Sequence, residues 1–231
     1  MPDSRPVALI TGASSGMGRE IARELAQTHH VIAVGRNAER LAAVTRETGA
    51  EAWQLDITDD AALATRIAEL ERLDVLVHAA AIGDHRSVEQ ADAAEWSQQF
   101  AVNVQAPALI TRAALPLLRA ASATVVFIGS GASTRPVGGS AVYSATKHAL
   151  RATADVLRID EEPHRVRVVT IAPGQTDTDM LRRNIPEDQY TPERYIRPES
   201  VAATVRFVVE APADVQITDI AVRPRQEIAR L

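Results

Sequence analysis

Apolar residues along this chain fall into short uninterrupted runs separated by stretches with helical spacing. The first run covers 7–11 (Val-Ala-Leu-Ile-Thr), and a glycine-rich turn follows it. Ile21, Ala22, Leu25 and Ala26 then recur at helical intervals, which predicts an amphipathic helix. The alternation repeats. Further strands are predicted at 31–34, in a short segment ending on Leu55, and at 75–77, 124–128, 166–171 and about 216–222. Helices are predicted from near Asn37, over about 59–71, in a long stretch ending near Arg119, over about 141–159, and over about 199–209. Strands that read as continuous apolar runs are buried on both faces, as parallel strands are. Seven of them joined by helical crossovers predict an α/β fold: one doubly wound, seven-stranded parallel sheet with helices on both faces, in a single domain over 1–231.

Segment 179–198 breaks this rhythm. It carries Pro186, Pro192 and Pro198 after a late strand. Ligands of open α/β sheets lie at the carboxyl ends of the strands, so this segment is expected to act as a lid there. Arg182 and Arg183 open it, either as a solvated pair or as contacts for an anionic substrate.

Composition narrows the function classes. The chain has 231 residues, 46% hydrophobic and 24% charged, an ordinary globular balance. It has no cysteine, which excludes disulfides, thiol nucleophiles and cysteine metal sites. Its six histidines are dispersed, and no metal site is expected. The longest apolar run, 75–82, is interrupted by His78 and falls far short of the roughly 20 residues of a membrane span. The N-terminus lacks the shape of a signal peptide, so a cytoplasmic protein with no membrane partner is expected. A net charge of −5 and 3% aromatic residues argue against nucleic acid. Of the 25 basic residues, Lys147 is the one lysine. Codon usage in a GC-rich genome accounts for the arginine excess but not for the exception. Arginine replaces lysine well on a solvated surface and poorly where a compact ammonium is needed.

Three groups of residues carry candidate chemistry. Gly12, Gly16 and Gly18, with Ser14, Ser15 and Met17 between them, form a turn from first strand to first helix. Such a turn lets the backbone approach a pyrophosphate, and the helix N-terminus supplies N–H donors. At the end of the second strand, where enzymes that bind NAD often place an acid for the ribose, stand Gly35 and Arg36. An arginine there can pair with a 2′-phosphate, which favours NADP(H) and leaves NAD(H) possible; a solvated helix-start arginine is the alternative. Tyr143 and Lys147 are four residues apart on a predicted helix and share a face. A cation beside a phenol lowers its pKa and suits it to acid–base work near neutral pH. Ser130, at the end of the preceding strand, can reach the same reactive oxygen.

These residues resemble the single-domain branch of the short-chain dehydrogenase/reductase family. The resemblance rests on 11–18 (Thr-Gly-Ala-Ser-Ser-Gly-Met-Gly), Leu55-Asp56-Ile57, Asn103, Ser130, Tyr143 through Lys147, and Pro173-Gly174 through Thr178, in family order over 5–180. It implies a reductase or dehydrogenase interconverting a carbonyl and a secondary alcohol. Tyr143 would move the proton at the substrate oxygen. Lys147 would lower the tyrosine pKa and bind the nicotinamide ribose. Ser130 would polarise the carbonyl, and Asn103 would keep a water that relays protons. Asp56, Ile57 and Ala79 would lie near the adenosine, and Pro173, Gly174, Thr176 and Thr178 along the nicotinamide and diphosphate. A homodimer or homotetramer acting on a small carbonyl or alcohol is implied too. The alternative is a redox-sensing regulator that binds NADP(H) without turnover. Two departures stand out. His78-Ala79-Ala80-Ala81 replaces the family's Asn-Asn-Ala-Gly, so His78 is expected to brace the central strands or to sit as a satisfied core histidine. The ending 217–224 lacks the usual glycine pair and resembles NADP-dependent enzymes of short 3-hydroxy acids.

Overall fold

The computed structural model describes residues 5–226. Seven strands are present among them: β1 (Val7–Thr11), β2 (His30–Gly35), β3 (Glu51–Gln54), β4 (Val75–His78), β5 (Thr124–Ile128), β6 (Arg167–Pro173) and β7 (Asp219–Val222). They form one parallel sheet in the order β3-β2-β1-β4-β5-β6-β7. The chain reverses its winding between β1 and β4, which opens a crevice at their carboxyl ends. The helices are α1 (Gly16–Leu25), α2 (Ala38–Thr48), α3 (Asp60–Ala68), α4 (Ala93–Phe100), α5 (Ala106–Ala121), α6 (Ala141–Glu161), α7 (Asp179–Arg182) and α8 (Pro198–Val209).

The unbroken apolar strands are explained by two cores. Ala8, Ile10, Val31, Ala33, Val75, Val77, Val126 and Val169 point to one face and pack with α1 and α8. Leu9, Ile32, Val34, Leu76, Val125, Phe127 and Val168 point to the other and pack with α3, α5 and α6. Side chains alternate between faces, and both faces are covered.

The long helical stretch ending near Arg119 is more structured than its periodicity predicts. It comprises α4, a π-helical turn over Ala101–Gln105, and α5 without interruption. A π-turn carries an extra residue and often marks a functional position. The run 93–121 has the length and mean hydropathy of a membrane span. It is nevertheless a layer of this fold, with Ile110, Ala114 and Leu118 buried against the sheet.

Two boundaries differ from expectation. β7 starts at Asp219 rather than near 216; Thr218 only lends its carbonyl to Thr170 N–H at 2.9 Å. Segment 179–198 holds the four-residue α7 and two 3-10 turns, Glu187–Gln189 and Pro192–Arg194. A bridge between Thr176 and Ile196 ties its base.

Candidate functional site

The glycine turn after β1 has the geometry of a cradle. Gly12 and Gly16 have φ of +70° and +52°, conformations that favour glycine. A Cβ on Gly12 would lie 2.7 Å from the Ala80 backbone, and one on Gly18 would lie 2.3 Å from the Gly12 carbonyl. Gly12 therefore lets the 79–80 backbone close against the turn, with Ala79 at its edge. Gly18 lets α1 start tightly against it. Ser15, at the N-cap, makes no side-chain cap bond, so the first amides of α1 are left for a ligand. Ser14 and Met17 are half-buried beside them. The methyl of Thr178 stands 3.3 Å from where a Gly16 Cβ would be, so the end of β6 faces this turn.

Around this cradle, Arg36 is 70% exposed and faces Asp56 at 3.6 Å. Asp56 also accepts from Thr58 N–H (2.9 Å) and Thr58 Oγ1 (2.8 Å). The Thr58 amide, more than Arg36, holds its carboxyl below the usual range. Asp59, not Asp56, caps α3. Ile57 turns its side chain into the core beneath α3. Pro173 ends β6, the Gly174 amide donates to the Val222 carbonyl (2.8 Å), and Thr176 Oγ1 donates to the Gly174 carbonyl (3.1 Å). Thr178 caps α7 through Leu181 N–H. The sequence does not reveal that Arg40 pairs with Asp179 at 3.3 Å, joining α2 to α7.

The second cluster stands at the carboxyl ends of β4 and β5. Ser130 follows β5 and accepts from Ala132 N–H at 3.1 Å, while its own amide donates to Ser133 Oγ at 3.2 Å. This reciprocal cap fixes the Ser130 side chain. The Ser130 side chain stands beside the phenol of Tyr143 and favours its ionised form. Lys147, one turn further along α6, is 2% exposed and donates to the Ile128 carbonyl at 3.0 Å. Its Nζ lies 5.7 Å from the centre of the Tyr143 ring. Burial lowers the ammonium pKa to about 8.

One expectation is corrected here. The tyrosine pKa is raised, not lowered, because burial of the phenol outweighs the opposing effect of Ser130. Lys147 has turned toward the β5 carbonyl, so its charge does not offset that burial.

Asn103 sits in the π-turn, 1% exposed. Its Oδ1 accepts from Ile82 N–H (2.9 Å), and its Nδ2 donates to the Ile82 carbonyl (2.8 Å) and to Thr146 Oγ1 (3.1 Å). The resemblance implied a water-holding role; the side chain acts visibly as a clamp between the loop after β4 and α6. Thr146 and Gly83 belong to this assembly and were not singled out by sequence reasoning. Their only sequence signal is position, inside the Tyr143–Lys147 turn for Thr146 and two residues past Ala81 for Gly83.

His78 is a core residue with one half satisfied. Its Nε2 meets Thr111 Oγ1 at 2.8 Å, and its ring stacks on Phe127 at 4.8 Å. Its Nδ1 has no partner among the described residues. Burial pushes its pKa down to about 3, so the ring is neutral. It reaches α5 rather than bracing the strands. Thr11 does the bracing instead, through the Val77 carbonyl (3.4 Å) and Ala80 N–H (3.3 Å). Arg182 is exposed, as expected of a solvated arginine, and it pairs with Asp177 at 2.7 Å and lies over Tyr190. No cluster of metal-ligating side chains occurs among the described residues.

Comparison with known proteins fits this geometry. A family model described as short chain dehydrogenase matches residues 6–189. An uncharacterized oxidoreductase of Mycobacterium tuberculosis is 36% identical over 230 residues, 96% of this chain and 92% of that protein. An NADP-dependent 3-hydroxy acid dehydrogenase of Shigella flexneri is 32% identical over 94% of each chain. Among solved structures, a closed form of serine dehydrogenase complexed with NADP+ superposes with a TM-score of 0.87, at 31% identity over 94% of each chain.

Proposed function

The chain belongs to the short-chain dehydrogenase family, and from that premise we propose that it is an NADP(H)-dependent oxidoreductase interconverting a carbonyl and a secondary alcohol. The observation that carries this reading is the convergence of Ser130, Tyr143 and Lys147 at the carboxyl ends of the strands, beside a glycine cradle.

The cradle suits a dinucleotide. Its glycines admit a close approach, and the open amides of α1 favour a pyrophosphate. Thr176, Thr178 and Gly174 border the same crevice from β6. Arg36 is exposed at the end of β2, and its single acidic neighbour stands at 3.6 Å, so it is free to meet a 2′-phosphate. The names of the Shigella relative and of the serine dehydrogenase complex point to the same cofactor. Bound there, the nicotinamide supplies or accepts the hydride.

The protein's own groups handle the oxygen. Tyr143, kept protonated by burial, is the acid that carbonyl reduction needs. Ser130, beside the same phenol, holds the carbonyl oxygen there and stabilises charge developing on it. Lys147 is a cation below about pH 8 and binds ribose hydroxyls with the donors not given to Ile128. Asn103 positions the loop after β4 against α6, which fixes the ring of Tyr143.

The reading extends to a homodimer or homotetramer. Val156 and Ile159 on α6 are 57% and 71% exposed, an apolar face suited to a second copy; light scattering tests it. A redox sensor has no need of both Tyr143 and Lys147. The experiment that separates the readings is NADPH consumption with a panel of ketones, aldehydes and 3-oxo acids. Turnover supports the enzyme, whereas tight NADPH binding with no turnover on the panel makes the protein a sensor.

A further inference from the structure

Arg223 follows β7 directly, and its guanidinium lies at the carboxyl ends of β5 and β6. It is exposed, yet its guanidinium is fixed. Nη1 donates to the carbonyls of Ala172 (2.9 Å) and Val222 (3.2 Å). A Cβ placed on Gly131 would stand 3.6 Å from both Nη1 and Nη2 and 3.7 Å from Cζ. Near-equal distances to three atoms mean that the flat face of the group covers Gly131. Its edge therefore stays open: among the described residues, no acceptor meets Nε or Nη2 and no carboxylate pairs with the group.

Gly131 is the residue after Ser130, whose side chain stands beside the Tyr143 phenol. A guanidinium thus lies against the backbone adjoining the reacting centre, held by the end of β6 and with donors to spare. The lid arginines are differently placed. Arg182 is occupied by Asp177, and Arg183 Nε donates to the Asp179 carbonyl at 3.2 Å.

We propose that Arg223 is a specificity-determining residue that pairs with a substrate carboxylate, so that the preferred substrates are short oxo acids and the matching hydroxy acids. The planar fork of arginine matches a carboxylate through two parallel N–H bonds, a geometry that lysine lacks. The proposal rests on the reading of Ser130 and Tyr143 as the carbonyl-reducing centre. It assigns to Arg223 the recognition of the rest of the molecule.

The test compares acetoacetate with its neutral methyl ester, in wild type and in Arg223→Gln, by NADPH consumption and by calorimetric titration of acetoacetate into the NADP+-loaded protein. The expected result is a loss of about 10- to 100-fold in kcat/KM for acetoacetate, carried by KM, with the ester changed less than about twofold. Acetoacetate binding falls in parallel. Equal losses on both substrates, or no loss on either, overturn the proposal, since a purely structural arginine moves both alike. If Arg223→Gln melts early, Arg223→Lys keeps the charge and one donor, and it is expected to lose about tenfold on acetoacetate alone. A wild type that reduces the ester but neither reduces nor binds acetoacetate overturns the role of Arg223 and leaves the proposed reaction standing. A wild type that binds acetoacetate through Arg223 and turns over neither compound overturns the reaction and leaves the binding role standing.

Discussion

Gly83 lies against the ring of Tyr143: a Cβ at position 83 would come within 2.6 Å of Tyr143 Cδ2 and 2.9 Å of Cε2. Real Cβ atoms do not sit that close, so an added methyl must push the ring or the loop aside. Gly83→Ala is expected to lower kcat by about 10- to 100-fold, because a displacement of about 1 Å at a reacting group costs roughly that much. NADPH affinity, measured by fluorescence titration, stays within about threefold. A variant with unchanged kcat shows that the ring position has slack.

Arg36 and Asp56 face each other at 3.6 Å just past the carboxyl ends of β2 and β3. Arg36→Ala is expected to weaken NADPH binding by about 10-fold or more and NADH binding by less than about threefold, since only NADPH carries the 2′-phosphate. Titration of both nucleotides checks this. Equal effects on the two contradict the cofactor assignment.

His78 makes acid stability pH-dependent. Its pKa is about 3 when folded, against an ordinary value of 6.5. Between those values the unfolded chain binds a proton that the folded chain refuses, so stability rises with pH through this window and is lost as pH falls from 6.5 toward 3. From pH 7 to pH 5 the contribution is about 2 kcal/mol. His78→Asn is neutral throughout and is expected to remove that part of the slope in denaturant unfolding at the two pH values. An unchanged slope means that other groups set it.

The sheet was legible because its evidence is local. Two-sided burial writes apolar runs into the five inner strands, whereas the edge strands β3 and β7 are short and partly exposed. The glycine turn, Ser130, Tyr143 and Lys147 were legible because their chemistry needs those residue types at those spacings. The π-turn was not, since one extra residue in a long helix leaves no mark on its periodicity. Gly83, Thr146 and Arg223 act through neighbours distant in sequence. Arg223 meets Gly131 only because β7 lies beside β6, and β6 beside β5. The expected lowering of the Tyr143 pKa failed for a related reason. Spacing placed the ammonium on the right face, but only the packed structure shows that it turns to Ile128 and that burial prevails.

Lys147 is buried to 2% and bonds the Ile128 carbonyl at 3.0 Å. That space fits an ammonium and not the wider guanidinium. In a chain that uses arginine at every other basic position, Lys147→Arg is expected to lower kcat/KM by about 100-fold or more. Near-normal turnover in a steady-state assay makes this lysine an accident of composition.

The central claim is that Tyr143 moves the proton at the substrate oxygen, and Tyr143→Phe removes that single hydroxyl while keeping the ring against Gly83. The decisive measurement is NADPH oxidation by this variant at saturating carbonyl substrate, paired with NADPH titration of the same preparation. The account predicts a fall in kcat of about 100-fold or more with NADPH binding intact. Turnover close to wild type, with the cofactor bound as tightly, contradicts it.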